Sequence, residues 1–184
     1  MSKLVLRNRQ RIRNVDLRLF RRIARTLVVK LILLKEYELN VHLVAAPEMA
    51  RINEAFLNHK GSTDVITFDY SDSSPGTVSG EMLICLDDAI TQAKRFRTSW
   101  QSELVRYFIH GVLHLQGHDD LESSARRKMK REENRLLGLL ARAFPIDRLA
   151  TSRSRAAISK SQVGNRKSHR FPLRHRECKP GVRS

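Results

Sequence analysis

The chain has 184 residues, with 35 Lys and Arg against 19 Asp and Glu, a net charge of +16. That length allows one domain of roughly 140 to 150 residues plus a tail, and the charge points to a polyanion as partner: RNA, DNA or an acidic membrane surface. The longest apolar run, Leu27 to Leu34, is short and carries Lys30, so no membrane span is expected, and it comes too late and lacks the small-residue cleavage site of a secretory signal. Two cysteines, Cys85 and Cys178, make no disulfide framework and fit a reducing cytosol.

Residues 3 to 8 alternate and predict a first strand. Asn14 or Asp16 can cap the helix that follows, where Leu19, Phe20, Ile23, Leu27 and Leu31 recur near every 3.6 residues and arginines fill the other face. Residues 1 to 30 hold ten Lys or Arg and one acid, Asp16, and read as a basic, RNA-facing helix more readily than as an organellar targeting peptide. Leu39 to Ala45 is a strand, and Pro47 opens a second helix that runs to about Leu57. His59 to Ser62 is a loop, Val65 to Tyr70 a strand, Ser71 to Ser79 a loop and Glu81 to Leu86 a strand. Cys85 falls inside that last strand as a buried thiol. Asp87 is placed to cap a helix over Ala89 to Arg97, and Ser99 or Ser102 the next, which Gly117 ends. Trp100 reads as core packing. A last helix runs from about Glu122 to Ala143, its stripe being Met129, Leu136, Leu137 and Leu140.

After Phe144 the composition changes. Residues 145 to 184 hold eleven Lys or Arg, two acids and few large apolar residues, so a disordered basic tail is expected there. The fold class is then α+β: one domain over 1 to 144, with a mixed sheet of about four strands and about five helices.

The chemistry sits in one stretch, His110-Gly-Val-Leu-His114-Leu-Gln-Gly117-His118-Asp119-Asp120. Histidines four apart stack on one helix face, where both imidazoles can share a metal ion. Gly117 turns the chain back, and a ligand three residues on can close the site. Asp120 occupies that place, with His118 and Asp119 as neighbouring alternatives. The ligand spacing is that of the extended zinc-protease motif, whose third ligand is usually His. The glutamate base of those proteases is missing, because Gly111 follows the first histidine. Peptide hydrolysis by their mechanism is thereby opposed. Three ligands leave a fourth position for water, whose pKa zinc lowers toward about 7.

At these residues the chain resembles the YbeY family of metal-dependent endoribonucleases. Residues 110 to 119 match its pattern His-Gly-x-Leu-His-Leu-x-Gly-x-Asp-His. A second pattern, Asn-x-x-aromatic-Arg followed by Thr-Asp-Val-hydrophobic-Ser-Phe, is recognisable in Asn53 to Leu57 and Thr63 to Phe68. A third appears as Gly80-Glu81-Met82-Leu83-Ile84, and the final helix with Met129 and Glu132 also fits. The resemblance spans about residues 36 to 142.

It implies His110, His114 and Asp120 as metal ligands and the two histidines as the catalytic centre, around one zinc ion. The family has His where this chain has Asp120, so the site is more anionic, which bears on the choice of metal. The family's cleft arginine aligns with Leu57. His59 and Lys60, just downstream, are candidates to supply the lost charge at RNA phosphates. Thr63 and Asp64 lie where the family places a strand beside the cleft, although Thr-Asp at a strand entry is ordinarily turn chemistry.

The implied activity is single-strand-specific cleavage of precursor ribosomal RNA, in small-subunit 3′-end processing and ribosome quality control. The implied partners are ribosomal RNA and the small ribosomal subunit in the cytoplasm, with no membrane and no small-molecule cofactor. The rivals are a metallopeptidase-like hydrolase and a non-catalytic basic assembly factor with a structural metal. The charge divides into +7 over residues 1 to 144 and +9 over 145 to 184.

Overall fold

The computed structural model describes residues 2–72, 76–151 and 182–183. The strands are β1 (Lys3–Asn8), β2 (Glu36–Val44), β3 (Val65–Asp69), β4 (Thr77–Cys85) and β5 (Val182–Arg183). The helices are α1 (Leu17–Thr26), α2 (Ala46–Leu57), α3 (Leu86–Phe96), α4 (Trp100–Leu115) and α5 (Ser123–Ala143). A π-helical turn, Leu27–Leu31, prolongs α1, and a short 3-10 helix, Ile146–Leu149, follows α5. The fold is the α+β arrangement expected.

The sheet order is β1-β2-β4-β3-β5. β1, β2 and β4 run parallel, and β3 and β5 are antiparallel to their neighbours. Leu39 pairs with Gly80, and Val65 with Ile84. Alternation along these strands puts Leu39, Val41, Met82, Ile84 and Val65 on one face, where α1, α4 and α5 build the main core. The other face carries Val44, Ile66, Leu83 and Cys85 against Met49 of α2.

α1 belongs to this core. Phe20, Ile23 and Ala24 are fully buried, Phe20 meets Phe108 of α4 edge to face at 5.6 Å, and Arg18, Arg21 and Arg25 face outward. Between Asn14 and Asp16, Asp16 is the cap: its carboxylate accepts from the N–H groups of Arg18 and Leu19. Ser99 caps α4 by accepting from the Ser102 N–H. Asp87 acts differently from the expectation. α3 begins at Leu86, and the Asp87 carboxylate reaches back to accept from the Ala46 N–H at 2.6 Å, serving the start of α2. β4 begins at Thr77, four residues earlier than expected, because pairing with β2 extends the strand through a polar, Gly-containing segment.

The fold runs a few residues past Phe144. Ile146 and Leu149 are buried in the main core, and Ala150 bridges to Val15. Two apolar residues three apart sit on one side of a 3-10 helix, so this short segment packs despite the polar composition around it. The expectation of a disordered tail otherwise falls on residues 152–181 and 184, outside the described ones, while 182–183 pair with β3. Among the described residues no helix is long and apolar enough to cross a membrane.

Candidate metal centre

α4 is buried on nearly every side: eleven of its sixteen residues are inaccessible. That makes it the central helix of the domain, wedged between the sheet and α5. Two glycines set how close it lies. A Cβ on Gly80 would sit 2.8 Å from the Phe68 carbonyl oxygen and from Leu115 at the end of α4. A Cβ on Gly111 would sit 2.5 Å from the Met82 terminal methyl and 3.1 Å from Val65. Position 111 therefore points into the sheet. A glutamate there could not serve the site without displacing the core.

α4 ends in a full Schellman turn. Gly117 has φ +85°, its N–H donates to the His114 carbonyl at 2.9 Å, and the His118 N–H donates to that of Leu113 at 3.0 Å. This reversal brings Asp120 back beneath the helix. Its loop is pinned to α5 by Arg126, which donates to the carbonyls of Asp120 and Leu121.

His110, His114 and Asp120 each offer a ligand atom, all within 4.8 Å of one another. The two Nε2 atoms are 2.9 Å apart, and Asp120 Oδ1 lies 3.9 Å from His114 Nε2. The outer nitrogens are already engaged. His110 Nδ1 donates to Glu133 Oε1 at 2.6 Å, and His114 Nδ1 donates to the His118 carbonyl at 3.1 Å. A carbonyl and a carboxylate only accept, so each ring carries a proton at Nδ1, and in the neutral rings both Nε2 lone pairs are left to face one point. Two lone pairs and a carboxylate converging on one point fit a divalent cation of nitrogen and oxygen preference. The backbone carbonyl of His118 serves His114, and among the described residues the group that could hold a metal is His110, His114 and Asp120, without His118 or Asp119.

Burial pulls the His110 pKa down. The hydrogen bond and charge of Glu133, with Asp64 and Asp120 beyond, leave it above its ordinary value.

Glu133 is the candidate site residue that the sequence reading did not name. Glu132, singled out with the family pattern, turns outward and pairs with Arg135. Glu133 is buried and is gripped from the other side by Arg106 at 3.8 Å. Arg106 also donates to Asn134 and pairs with buried Glu103, which accepts from Thr98. A signal existed: positions 129, 133, 136 and 140 form the buried stripe of α5, and a carboxylate stands in it. Glu133→Gln should keep the fold but weaken metal binding by roughly 10- to 100-fold, the usual loss for an outer partner of a ligating histidine. Competition with a chromophoric chelator measures this, and unchanged affinity would remove Glu133 from the site.

A cavity of about 230 Å³ opens beside these residues, lined by Asp64 and Tyr107 and by the cations Arg106, Arg126 and Lys130. Asp64 does turn chemistry as well, accepting from the Thr63 hydroxyl and the Val65 N–H. Burial, with nearby carboxylates, pushes the Tyr107 phenol far up, so it stays a donor. His59 and Lys60 are exposed on the loop after α2 and are not among the residues lining this cavity. Leu57, at the family's arginine position, packs against the smaller core cluster. Trp100 packs against the main core, and Cys85 is a fully buried thiol whose pKa burial raises to about 12.

A family model described as Endoribonuclease YbeY matches residues 5–141. Proteins described as Endoribonuclease YbeY from Chlorobium phaeovibrioides and Chlorobium luteolum are 42% and 46% identical over 92 residues, half of this chain. One from Parabacteroides distasonis is 40% identical over 93 residues, again half of this chain. The matched stretches span 61%, 66% and 64% of those three proteins. The solution structure of TM1509 from Thermotoga maritima superposes with a TM-score of 0.57 at 22% identity, covering 79% of this chain and 95% of that one, which shows the shared fold. A match over residues 5–141 takes in all but the first residues of β1, the helix α4 with both histidines and nearly all of α5, and the chain belongs to the YbeY family.

Proposed function

We propose that this chain is a metal-dependent, single-strand-specific endoribonuclease acting on precursor ribosomal RNA in the cytoplasm. The observation that carries the reading is the convergence of two Nε2 lone pairs and a carboxylate beside a cavity edged by three cations. His110, His114 and Asp120 would hold one zinc ion. When bound, that ion would supply Lewis acidity toward the scissile phosphate and toward an attacking water.

The protein's own residues do the rest. Glu133 and the His118 carbonyl keep both imidazoles in the tautomer that presents Nε2. Arg106 holds Glu133, and Arg126 holds the Asp120 loop. Arg126 and Lys130, on the outer side of α5, are placed to neutralise phosphates beside the cleaved one, the task that Leu57 cannot perform. Tyr107 contributes a protonated donor at the wall. The family descriptions support RNA as substrate. The small ribosomal subunit, the 3′-end processing step and quality control are part of the same proposal. The +9 carried by residues 145 to 184 adds positive charge for the same polyanion.

Against the peptidase alternative stands Gly111, whose side-chain direction is filled by Met82 and Val65. The test is cleavage of assembled precursor small subunits by the full chain, with and without a chelator, alongside a casein digest. Roughly one metal ion per chain and chelator-sensitive RNA cleavage are expected. Full activity of metal-free protein would end the reading, and RNA binding without cleavage in any metal state would favour a binding factor with a structural metal.

A further inference from the structure

Phe96 ends α3 with 62% of its surface exposed. One exposed aromatic is unremarkable in itself. This one borders a cavity of about 250 Å³, whose other walls include Thr98, Glu103, Arg106, Lys130 and Glu133. Arg106, Lys130 and Glu133 also line the cavity at the metal centre. The two hollows share those three side chains as walls and lie side by side along α4. From His110 back to Glu103 is seven residues, about 10 Å along the helix.

The charges in this groove are arranged unevenly. Its two carboxylates are engaged inward: Glu103 by Thr98 and Arg106, and Glu133 by His110 and Arg106. Neither engages Lys130, which stays on the exposed side of α5 and has no ion pair among the described residues. At the far end the Arg95 guanidinium lies over the Phe96 ring, 5.5 Å from its centroid. The groove thus offers a free ammonium in its middle and an arginine-backed aromatic face at its end. Single-stranded nucleic acid asks for that pair of features, a cation for each phosphate and a flat face for each base. An acidic peptide would use the cations and leave Phe96 without a partner. An apolar segment would have to desolvate Lys130.

We propose that this groove is an RNA subsite, in which a base flanking the scissile phosphodiester stacks on Phe96 and the intervening phosphate is held by Lys130. The proposal rests on the ribonuclease reading above and adds to it the direction in which the strand leaves the metal. It places one contact outside the catalytic cavity, where the family's arginine position gives no help.

The experiment uses the full, metal-loaded chain and a fluorescein-labelled single-stranded RNA of about twelve nucleotides, within the usual reach of such sites. Anisotropy is followed for wild type, Phe96→Ala, Phe96→Trp and Lys130→Ala. Phe96→Ala should weaken binding by about 5- to 150-fold, the worth of one stacked base, and Phe96→Trp should retain it. Lys130→Ala should weaken binding and lower the slope of log affinity on log salt by about 0.7, one phosphate on a single strand. Phe96 is exposed, so its loss should leave the melting temperature near that of wild type.

Binding by Phe96→Ala within twofold of wild type would overturn the subsite. So would an acidic peptide that competes with the RNA and loses affinity equally in Phe96→Ala. If wild type cleaves RNA while Phe96→Ala binds normally, the subsite fails and the nuclease stands. If Phe96 governs binding and no metal state cleaves RNA, the subsite stands and the nuclease fails.

Discussion

His114→Ala is expected to leave the chain folded and unable to retain its metal, with RNA cleavage lost alongside. The buried imidazole contributes one of three converging ligand atoms, so its removal should exceed the roughly 10- to 100-fold cost usual for an outer partner. The fold should tolerate the change. The lost side chain leaves a small void and an unpaired His118 carbonyl, a cost of about 1–3 kcal/mol. Metal content by mass spectrometry, chelator competition and a urea midpoint together separate loss of the site from loss of the fold.

Asp120 sharpens the test, because it is where this chain departs from the family pattern. Asp120→Ala should weaken metal binding less than His114→Ala, and Asp120→Asn should fall between Asp120→Ala and wild type. Asp120→His should retain the ion, since the Schellman turn at Gly117 and the clamp from Arg126 hold position 120 in place whatever side chain it carries. Metal content untouched by Asp120→Ala would remove Asp120 from the ligand set.

The two histidines were legible because a helix makes i and i+4 neighbours regardless of what surrounds it. The return of Asp120 was legible because glycine after a helix predicts a left-handed turn. Glu133 was not, for a physical reason. It meets His110 across 23 positions of chain, and only the docking of α5 on α4 decides which of two adjacent glutamates points inward. Residues 132 and 133 differ by about 100° around a helix, so one pairs with Arg135 in solvent and the other with a buried imidazole. Arg106 and Lys130 were invisible for the same reason: among 35 basic residues, sequence has no way to mark the few that line a cavity. In the fold, strand and helix identities followed from periodicity. The early start of β4 did not, because β2 supplies the pairing that its own residues do not advertise. Asp87 likewise looked like a cap for its own helix, but its carboxylate accepts from the N–H at the start of α2.

Gly111→Glu recreates the His-Glu-x-x-His of zinc peptidases, and the expected result is a badly destabilised protein with no peptidase activity. The Cβ alone would press on the Met82 methyl at 2.5 Å and the Met82 sulfur at 2.7 Å, in a core where Met82 is fully buried. Overpacking of this kind costs about 1–3 kcal/mol. A carboxylate carried into the same apolar space without a partner adds several kcal/mol more, enough to consume much of a typical domain's roughly 5–15 kcal/mol. Gly111→Ala isolates the steric part. Alanine is the better helix former by about 1 kcal/mol, so a net loss of stability would mean that the contact with Met82 outweighs propensity. Removing that contact supplies the check. In a Met82→Ala background the added methyl occupies vacated space, and Gly111→Ala should there become neutral or stabilising, a coupling of about 1 kcal/mol or more in urea denaturation. An equal cost in both backgrounds would show that the glycine is required for some other reason than the approach of α4 to β4. The approach itself matters to the chemistry: the side of α4 that lies flat on the sheet, at Gly111 and Leu115, fixes the rotation of the helix and so turns the neighbouring face, with His110 and His114, toward Asp120 and Glu133.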